Sequence, residues 1–183
     1  MNGITWLLPL ALLATYGFCA KDLAATDTCT DVPVIQAAWK QLPKERRFPC
    51  DAEHLVVIRN LALFLKDHPN IAADGYLRER AVHAFAFCLT PKWPIYINLD
   101  THPVFENSFA QSPWIALVVA GVLVHESVHA NGDARESSAL LEEYRTAKAY
   151  QTQGRLPESF DVMGLEKQYR EALAKETTVA AKQ

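Results

Sequence analysis

The sequence predicts a predominantly helical α+β fold that forms one domain. The chain has 183 residues, of which 50% are hydrophobic and 21% are charged, and this composition is ordinary for a globular domain of about 100 to 200 residues. Most of the chain has apolar residues at helical spacing. One segment, 94–100, alternates and lies between prolines, which predicts a short edge strand or a small sheet beside the helices.

The two ends of the chain differ from its middle in composition. Residues 1–20 contain no Lys, Arg, Asp or Glu, and their apolar centre is shorter than the roughly 20 residues that span a bilayer. We therefore predict a signal peptide and a secreted or periplasmic protein. An uncleaved membrane anchor through residues 4–20, or a buried helix of a cytosolic protein, are the alternatives. Polar residues 21–33 predict a linker, residues 34–176 a single domain, and residues 177–183 a frayed tail.

The overall charge argues against one class of partner. The formal net charge is -3, from 18 basic and 21 acidic residues, whereas a nucleic-acid-binding protein usually carries a basic excess. We therefore expect no nucleic-acid partner, and a membrane partner only if the N-terminal segment stays uncleaved.

Apolar spacing places the elements of the predicted domain. Four helices are predicted from it, at residues 34–42, 51–66, 74–87 and 165–175. The strand at 94–100 requires a partner, because a single strand is not stable alone. Leu89 and the pair Val104–Phe105 are the candidates for a second strand.

Four cysteines bear on the compartment and on the fold. They lie at positions 19, 29, 50 and 88 and form no C-x-x-C pair, so their spacing does not resemble a zinc ribbon. Removal of the leader would leave three. A disulfide between Cys29 and Cys50, one between Cys50 and Cys88, and buried unpaired thiols all remain open at this point.

A second charge-free stretch is followed directly by the polar residues of greatest interest. Trp114 to Val124 has no polar residue on any face, which predicts a buried helix too short to span a membrane. His125, Glu126 and His129 follow without interruption. Unsatisfied polar groups in such a helix cost several kcal/mol. Because the two histidines are four residues apart, they share one face, and one metal ion satisfies both.

The string His-Glu-Ser-Val-His at 125–129 resembles the H-E-x-x-H motif of the zincin metallopeptidases. The resemblance covers about residues 93–150 and implies a zincin-like active-site helix beside an edge strand. It further implies that His125 and His129 bind Zn²⁺ and that Glu126 acts as the general base on a zinc-activated water.

The resemblance also guides the choice of a third ligand. No histidine follows residue 129, which excludes the metzincin pattern and leaves the gluzincin-like arrangement, in which a downstream glutamate binds the metal. Asn131–Gly132 ends the first helix, and a new helix is predicted at 134–150 with Asp133 as its cap. Glu136 is our predicted ligand, since Glu136 to Ala139 resembles the E-x-x-A continuation of small gluzincin-like families.

Other roles for the acidic residues of this region stay open. Asp133 and Glu136 also have the form of a capping box. Glu143 is the alternative ligand or a partner of a ligand histidine, and Asp133 is a second candidate for orienting a histidine. Glu142 is expected to be solvated.

The expected activity follows from the resemblance rather than from composition. It is a zinc-dependent metallohydrolase, specifically a peptidase acting on a peptide or protein, with residues 98–102 as the edge that binds an extended chain. Tyr144 is the candidate transition-state stabiliser, and the sequence also offers Tyr150, His102 and His83. The alternatives are a non-catalytic, metal-stabilised binding or inhibitory module, and a membrane-anchored helical protein in which the motif arose by chance.

Overall fold

A computed structural model describes residues 25–90 and 92–181 of the chain. The predicted leader at 1–20 and the last two residues lie outside them. The strands are β1 (Thr26–Thr28), β2 (Leu55–Ile58), β3 (Ala86–Thr90) and β4 (Lys92–Asn98). The helices are α1 (Pro33–Gln41), α2 (Leu61–Asp67), α3 (Pro69–Ala73), α4 (Gly75–His83), α5 (Val104–Asn107), α6 (Ile115–Ala130), α7 (Glu136–Thr152) and α8 (Val162–Ala180).

The four strands form one mixed sheet in the order β1-β2-β4-β3. β2 and β4 are parallel, with Leu55 opposite Ile95, while β1 and β3 run antiparallel to their neighbours. The predominantly helical α+β prediction is therefore confirmed. The strand predicted at 94–100 is present as β4, but it lies inside the sheet. The two edge strands are β1 and β3; β3 contains Leu89, whereas Val104 and Phe105 belong to a helix.

Two predicted helices are partly wrong, because a strand occupies part of each predicted range. Residues 55–58, Leu-Val-Val-Ile, form β2 in place of the first half of the helix predicted at 51–66. The helix resumes at α2, where the Asn60 side chain accepts a hydrogen bond from the Leu63 amide at 3.0 Å. The helix predicted at 74–87 ends at His83, and β3 follows.

The boundaries of the domain also differ from those expected. Part of the segment predicted as a linker, 21–33, forms β1, which pairs with β2 through Thr26 and Ile58. A disulfide joins Cys29 to Cys50 and so ties this segment to the domain, while Cys88 is a buried free thiol. At the other end, α8 continues to Ala180, well into the predicted tail.

Helix α6 is the centre of the domain. It packs against β3 and β4 on one side and against α1 and α7 on the others, and α8 covers α7. Leu123, Val119 and Ala120 are fully buried, as expected for a helix that is apolar on all faces. None of the helices in the described part of the chain has the length and apolar character required to cross a membrane. The end of α6 therefore delivers its polar residues to the interior of the fold.

Candidate metal centre

A tight reversal after α6 brings the start of α7 back towards the end of α6. Gly132 has a φ of 100°, a left-handed conformation that favours glycine. The Asn131 side chain donates to the Ser127 carbonyl at 2.7 Å, which closes the last turn of the helix. α7 then begins at Glu136, two residues later than predicted. This places Glu136 in the first turn of α7, facing the last turn of α6.

His125, His129 and Glu136 converge on one point. The Nε2 atom of His125 lies 3.5 Å from Oε1 of Glu136, and Nε2 of His129 lies 3.3 Å from Oε2. One donor atom from each residue lies within 4.8 Å of the others. Ligand atoms at about 2.1 Å from a tetrahedral zinc ion are about 3.4 Å apart. The two nitrogen–oxygen distances therefore match those expected between ligands of a tetrahedral zinc ion, and the three residues form a group that could hold a metal ion.

The other ring nitrogen of each histidine is already bonded to the protein. Nδ1 of His125 donates to Oε2 of Glu143 at 3.0 Å, and Nδ1 of His129 donates to the Asp133 carbonyl oxygen at 2.8 Å. Because a carboxylate and a carbonyl can only accept, both protons sit on Nδ1. When the imidazoles are neutral, each Nε2 therefore carries a lone pair directed at the cluster, which is the tautomer that binds a metal.

Glu143 contacts its histidine through its side chain, whereas Asp133 does so through its backbone carbonyl. Glu143 contacts His125 from the outside, and its side chain is only 16% exposed. Asp133 orients His129 through its backbone, whereas its carboxylate pairs with Arg135 at 2.8 Å. Asp133 is therefore not the side-chain cap that the sequence suggested, and α7 has no side-chain cap at Arg135.

The charges around the cluster shift its pKa values. Burial lowers the pKa of His125, but the hydrogen bond to Glu143 and the negative charges nearby outweigh it, so this pKa lies above its ordinary value. Contact with Glu136 raises the pKa of His129, and contact with His129 lowers that of Glu136. Without a metal the cluster favours protonated histidines, and metal binding must displace those protons.

Glu126 is the buried acid of the site. It is 4% exposed, and its Oε2 atom is buried with no hydrogen-bond partner in residues 25–90 and 92–181. Its charge acts on His125, His129 and the neighbouring Cys88 thiol, whose pKa is raised chiefly by burial. A buried acceptor without a partner costs about 1–3 kcal/mol. Glu126 Oε2 is therefore an unsatisfied buried acceptor on the same helix as both histidines.

A cleft of about 260 Å³ opens at the cluster. Its walls come from α4, the edge strand β3 and the turn into α7. The lining residues are Tyr76, Arg80, Cys88, Leu89, His129, Ala134 and Glu136. Tyr76 and Arg80 are not predicted from the sequence, because nothing in the apolar spacing of α4 indicates that these two side chains reach the motif on α6.

The first turn of α7 is held from the far end of the chain. The Glu176 carboxylate, on α8, accepts hydrogen bonds from the Ser137 amide at 3.1 Å and from its hydroxyl at 2.5 Å. The amides at the start of a helix have no partner within the helix, and a negative charge there is favourable. The residue next to Glu136 is thereby fixed to α8.

The residues considered for transition-state stabilisation lie elsewhere. The Tyr144 hydroxyl donates to Glu166 at 3.1 Å and accepts from Lys148, and that of Tyr150 donates to the Gln41 carbonyl. His83 is exposed at the end of α4, and His102 packs edge-on against Phe85. Glu142, expected to be solvated, pairs with Arg46 and Arg145.

Comparison of the chain with protein-family models, with curated proteins and with solved structures gives no match.

Proposed function

We propose that the protein is a zinc-dependent metallohydrolase, and specifically a peptidase. One observation carries the proposal: the Nε2 atoms of His125 and His129 lie 3.5 and 3.3 Å from the Glu136 carboxylate, and a buried Glu126 oxygen on the same helix lacks a hydrogen-bond partner among the described residues. Nitrogen and oxygen donors from two histidines and a glutamate suit zinc, and three protein ligands leave a fourth position for water.

The side chains divide the work of hydrolysis among them. His125, His129 and Glu136 would hold the ion, which when bound acidifies a water molecule to a pKa of about 7 and polarises the substrate carbonyl. Glu126 Oε2 accepts the proton of the attacking water and later delivers it to the leaving nitrogen. Glu143 and the Asp133 carbonyl keep both imidazoles in the metal-binding tautomer.

The edge of the sheet supports a peptide as substrate. β3 pairs only with β4 in the described part of the chain, so its outer edge offers backbone donors and acceptors. Cys88 and Leu89 of β3 line the same cleft as His129. An extended peptide that pairs with this edge would pass directly in front of the metal cluster. We therefore assign the binding of an extended substrate chain to β3 instead of residues 98–102, for which it was predicted from the sequence.

The disulfide supports an oxidising compartment. Cys29 and Cys50 are bonded, and disulfides persist in secreted and periplasmic proteins but are rare in the cytosol. We therefore retain secretion or export to the periplasm as the proposed localisation.

Zinc content and one conservative substitution test the proposal. The full chain, purified after equilibration with zinc, is expected to contain close to one zinc ion, measured by elemental analysis. Glu126→Gln keeps the shape of the side chain but removes its basicity. It should therefore retain zinc and lose hydrolysis of a peptide library.

Glu142→Gln is the matched control, because Glu142 lies on α7 and pairs with Arg46 and Arg145 rather than with the histidines. It should retain both zinc and hydrolysis. A well-folded protein without zinc would refute the metal site, and undiminished hydrolysis by Glu126→Gln would refute the base. Zinc binding with no hydrolysis by the unmodified chain would instead support the metal-stabilised binding module.

A further inference from the structure

Arg80 places an unpaired positive charge in the cleft beside the metal cluster. It lies on α4, is half-buried, and shares the cleft with His129 and Glu136. Its only side-chain hydrogen bond within the described residues runs from Nη1 to the Tyr76 hydroxyl, at 3.3 Å. Its guanidinium carbon also lies 5.8 Å from the centre of the Tyr76 ring, a cation–π contact that holds the group in place.

Arg80 differs in this from most other arginines of the described chain. Those that pair with a carboxylate within 4.0 Å are Arg46, Arg59, Arg135, Arg145 and Arg170. No carboxylate lies within that distance of Arg80 among residues 25–90 and 92–181. Since a guanidinium has five N–H donors in a rigid fork, most of those of Arg80 remain available to a ligand.

The field of Arg80 reaches the reacting part of the cleft. Its charge contributes to the lowered pKa of Glu136 and opposes the raised pKa of Cys88. Arg80 therefore lies within electrostatic range of both the α7 ligand and the edge strand. With Glu136 neutralised by a bound cation, the cleft as a whole favours an anion.

We infer that Arg80 binds a carboxylate of the substrate, so that the preferred substrates are acidic peptides. The inference rests on the proposed peptidase function, whose substrate class it names. A guanidinium fork matches a carboxylate through two parallel hydrogen bonds. This carboxylate belongs either to an Asp or Glu side chain or to the free C-terminus of the peptide.

The carboxylate would bind close to the metal cluster, because Arg80 lines the same cleft of about 260 Å³ as His129 and Glu136.

Peptide binding tests this inference without requiring catalysis. The protein is the full chain with Glu126→Gln, loaded with zinc, and the readout is fluorescence anisotropy of labelled peptides. Three peptides of one length are compared: a neutral one with an amidated C-terminus, the same peptide with a free C-terminal carboxylate, and an amidated one with an internal Glu. At least one carboxylate peptide should bind about 10-fold to 100-fold more tightly than the neutral one, as expected for a charged hydrogen bond.

Substitutions on α4 assign the preference to Arg80. Arg80→Met should reduce binding of the carboxylate peptide to the level of the neutral one, and Arg80→Lys should retain part of the preference, because it keeps the charge but not the fork. Arg78→Met is the matched control, since Arg78 is exposed on the same helix and does not line the cleft. It should keep the full preference. If Arg80→Met fails to fold, Arg80→Lys and the loss of the preference in high salt carry the test.

The outcomes separate this inference from the proposed function. Equal binding of all three peptides, no binding of any, or an equal loss for all three in Arg80→Met would overturn the role of Arg80. The free C-terminal and the internal Glu peptides distinguish the two sources of the carboxylate. Missing zinc, or unmodified protein that does not hydrolyse peptides, would instead count against the peptidase.

Discussion

Removal of the Glu143 carboxylate should weaken metal binding without removing a ligand. Glu143 Oε2 accepts the Nδ1 proton of His125 at 3.0 Å in a largely buried position. This bond fixes the tautomer and the ring orientation and makes Nε2 a stronger donor. Loss of such a partner costs about 10-fold to 100-fold in metal affinity, or about 1.4 to 2.7 kcal/mol. We expect that loss for Glu143→Ala.

Two further substitutions bracket this magnitude. Glu143→Gln keeps an oxygen that can accept from Nδ1 and loses only the charge, so its loss of affinity should be the smaller one. Glu136→Ala removes a proposed ligand and should reduce affinity more than Glu143→Ala. Glu142→Ala, next to Glu143 in sequence but paired with arginines, should have no effect.

The assay must separate metal binding from protonation. Glu143 raises the pKa of His125, so its removal also makes His125 bind the competing proton less tightly. This effect increases the apparent zinc affinity, whereas the loss of ring orientation decreases it. Competition against a chelator of known affinity at pH 8, where that proton competes less, isolates the orientation effect. Equal zinc affinity of Glu143→Ala and Glu142→Ala would refute our account of His125. Greater loss in Glu143→Ala than in Glu136→Ala would assign the ligand to Glu143.

Two more predictions concern the covalent and backbone features of the fold. Cys29→Ser opens a loop with a sequence separation of 21 residues from Cys50 and should lower the free energy of unfolding by about 3 kcal/mol in denaturant titrations. Reducing agent should destabilise the unmodified protein and Cys88→Ala, which changes a buried free thiol and keeps the disulfide, but it should not further destabilise Cys29→Ser. Gly132→Ala and Gly154→Ala, at φ values of 100° and 66°, should each cost about 1–2 kcal/mol. Only Gly132→Ala should also weaken zinc binding, because it distorts the turn between α6 and α7, and equal zinc affinity in the two variants would contradict this.

The helix with the histidines could be predicted because its signal is local. Trp114 to Val124 is apolar on all faces, and His125 and His129 follow at helical spacing. The turn at Gly132, which brings Glu136 close to the histidines, is also a local signal, because the adjacent pair Asn131–Gly132 predicts it. The structure places these three side chains together.

The strand β2 could not be predicted in the same way. Leu55, Ile58, Leu61 and Leu65 fit a helical period, and a short apolar run does not distinguish a buried strand from a buried helix. What decides is the parallel pairing with β4, about 40 residues away in the sequence. Arg80 escapes prediction for a related reason, because only the packing of α4 beside the edge strand brings it to the cleft.

The contact of Glu176 with Ser137 has a consequence for when the site can form. The Ser137 amide, in the first turn of α7, donates to Glu176, which lies 39 residues further along the chain on α8. A growing chain that contains α6 and α7 but not yet α8 therefore has both histidines and Glu136, but it lacks the Ser137–Glu176 contact that fixes the first turn of α7. If the proposed metal site is correct, full zinc affinity would require α8, and a chain truncated before Glu176 would bind zinc more weakly.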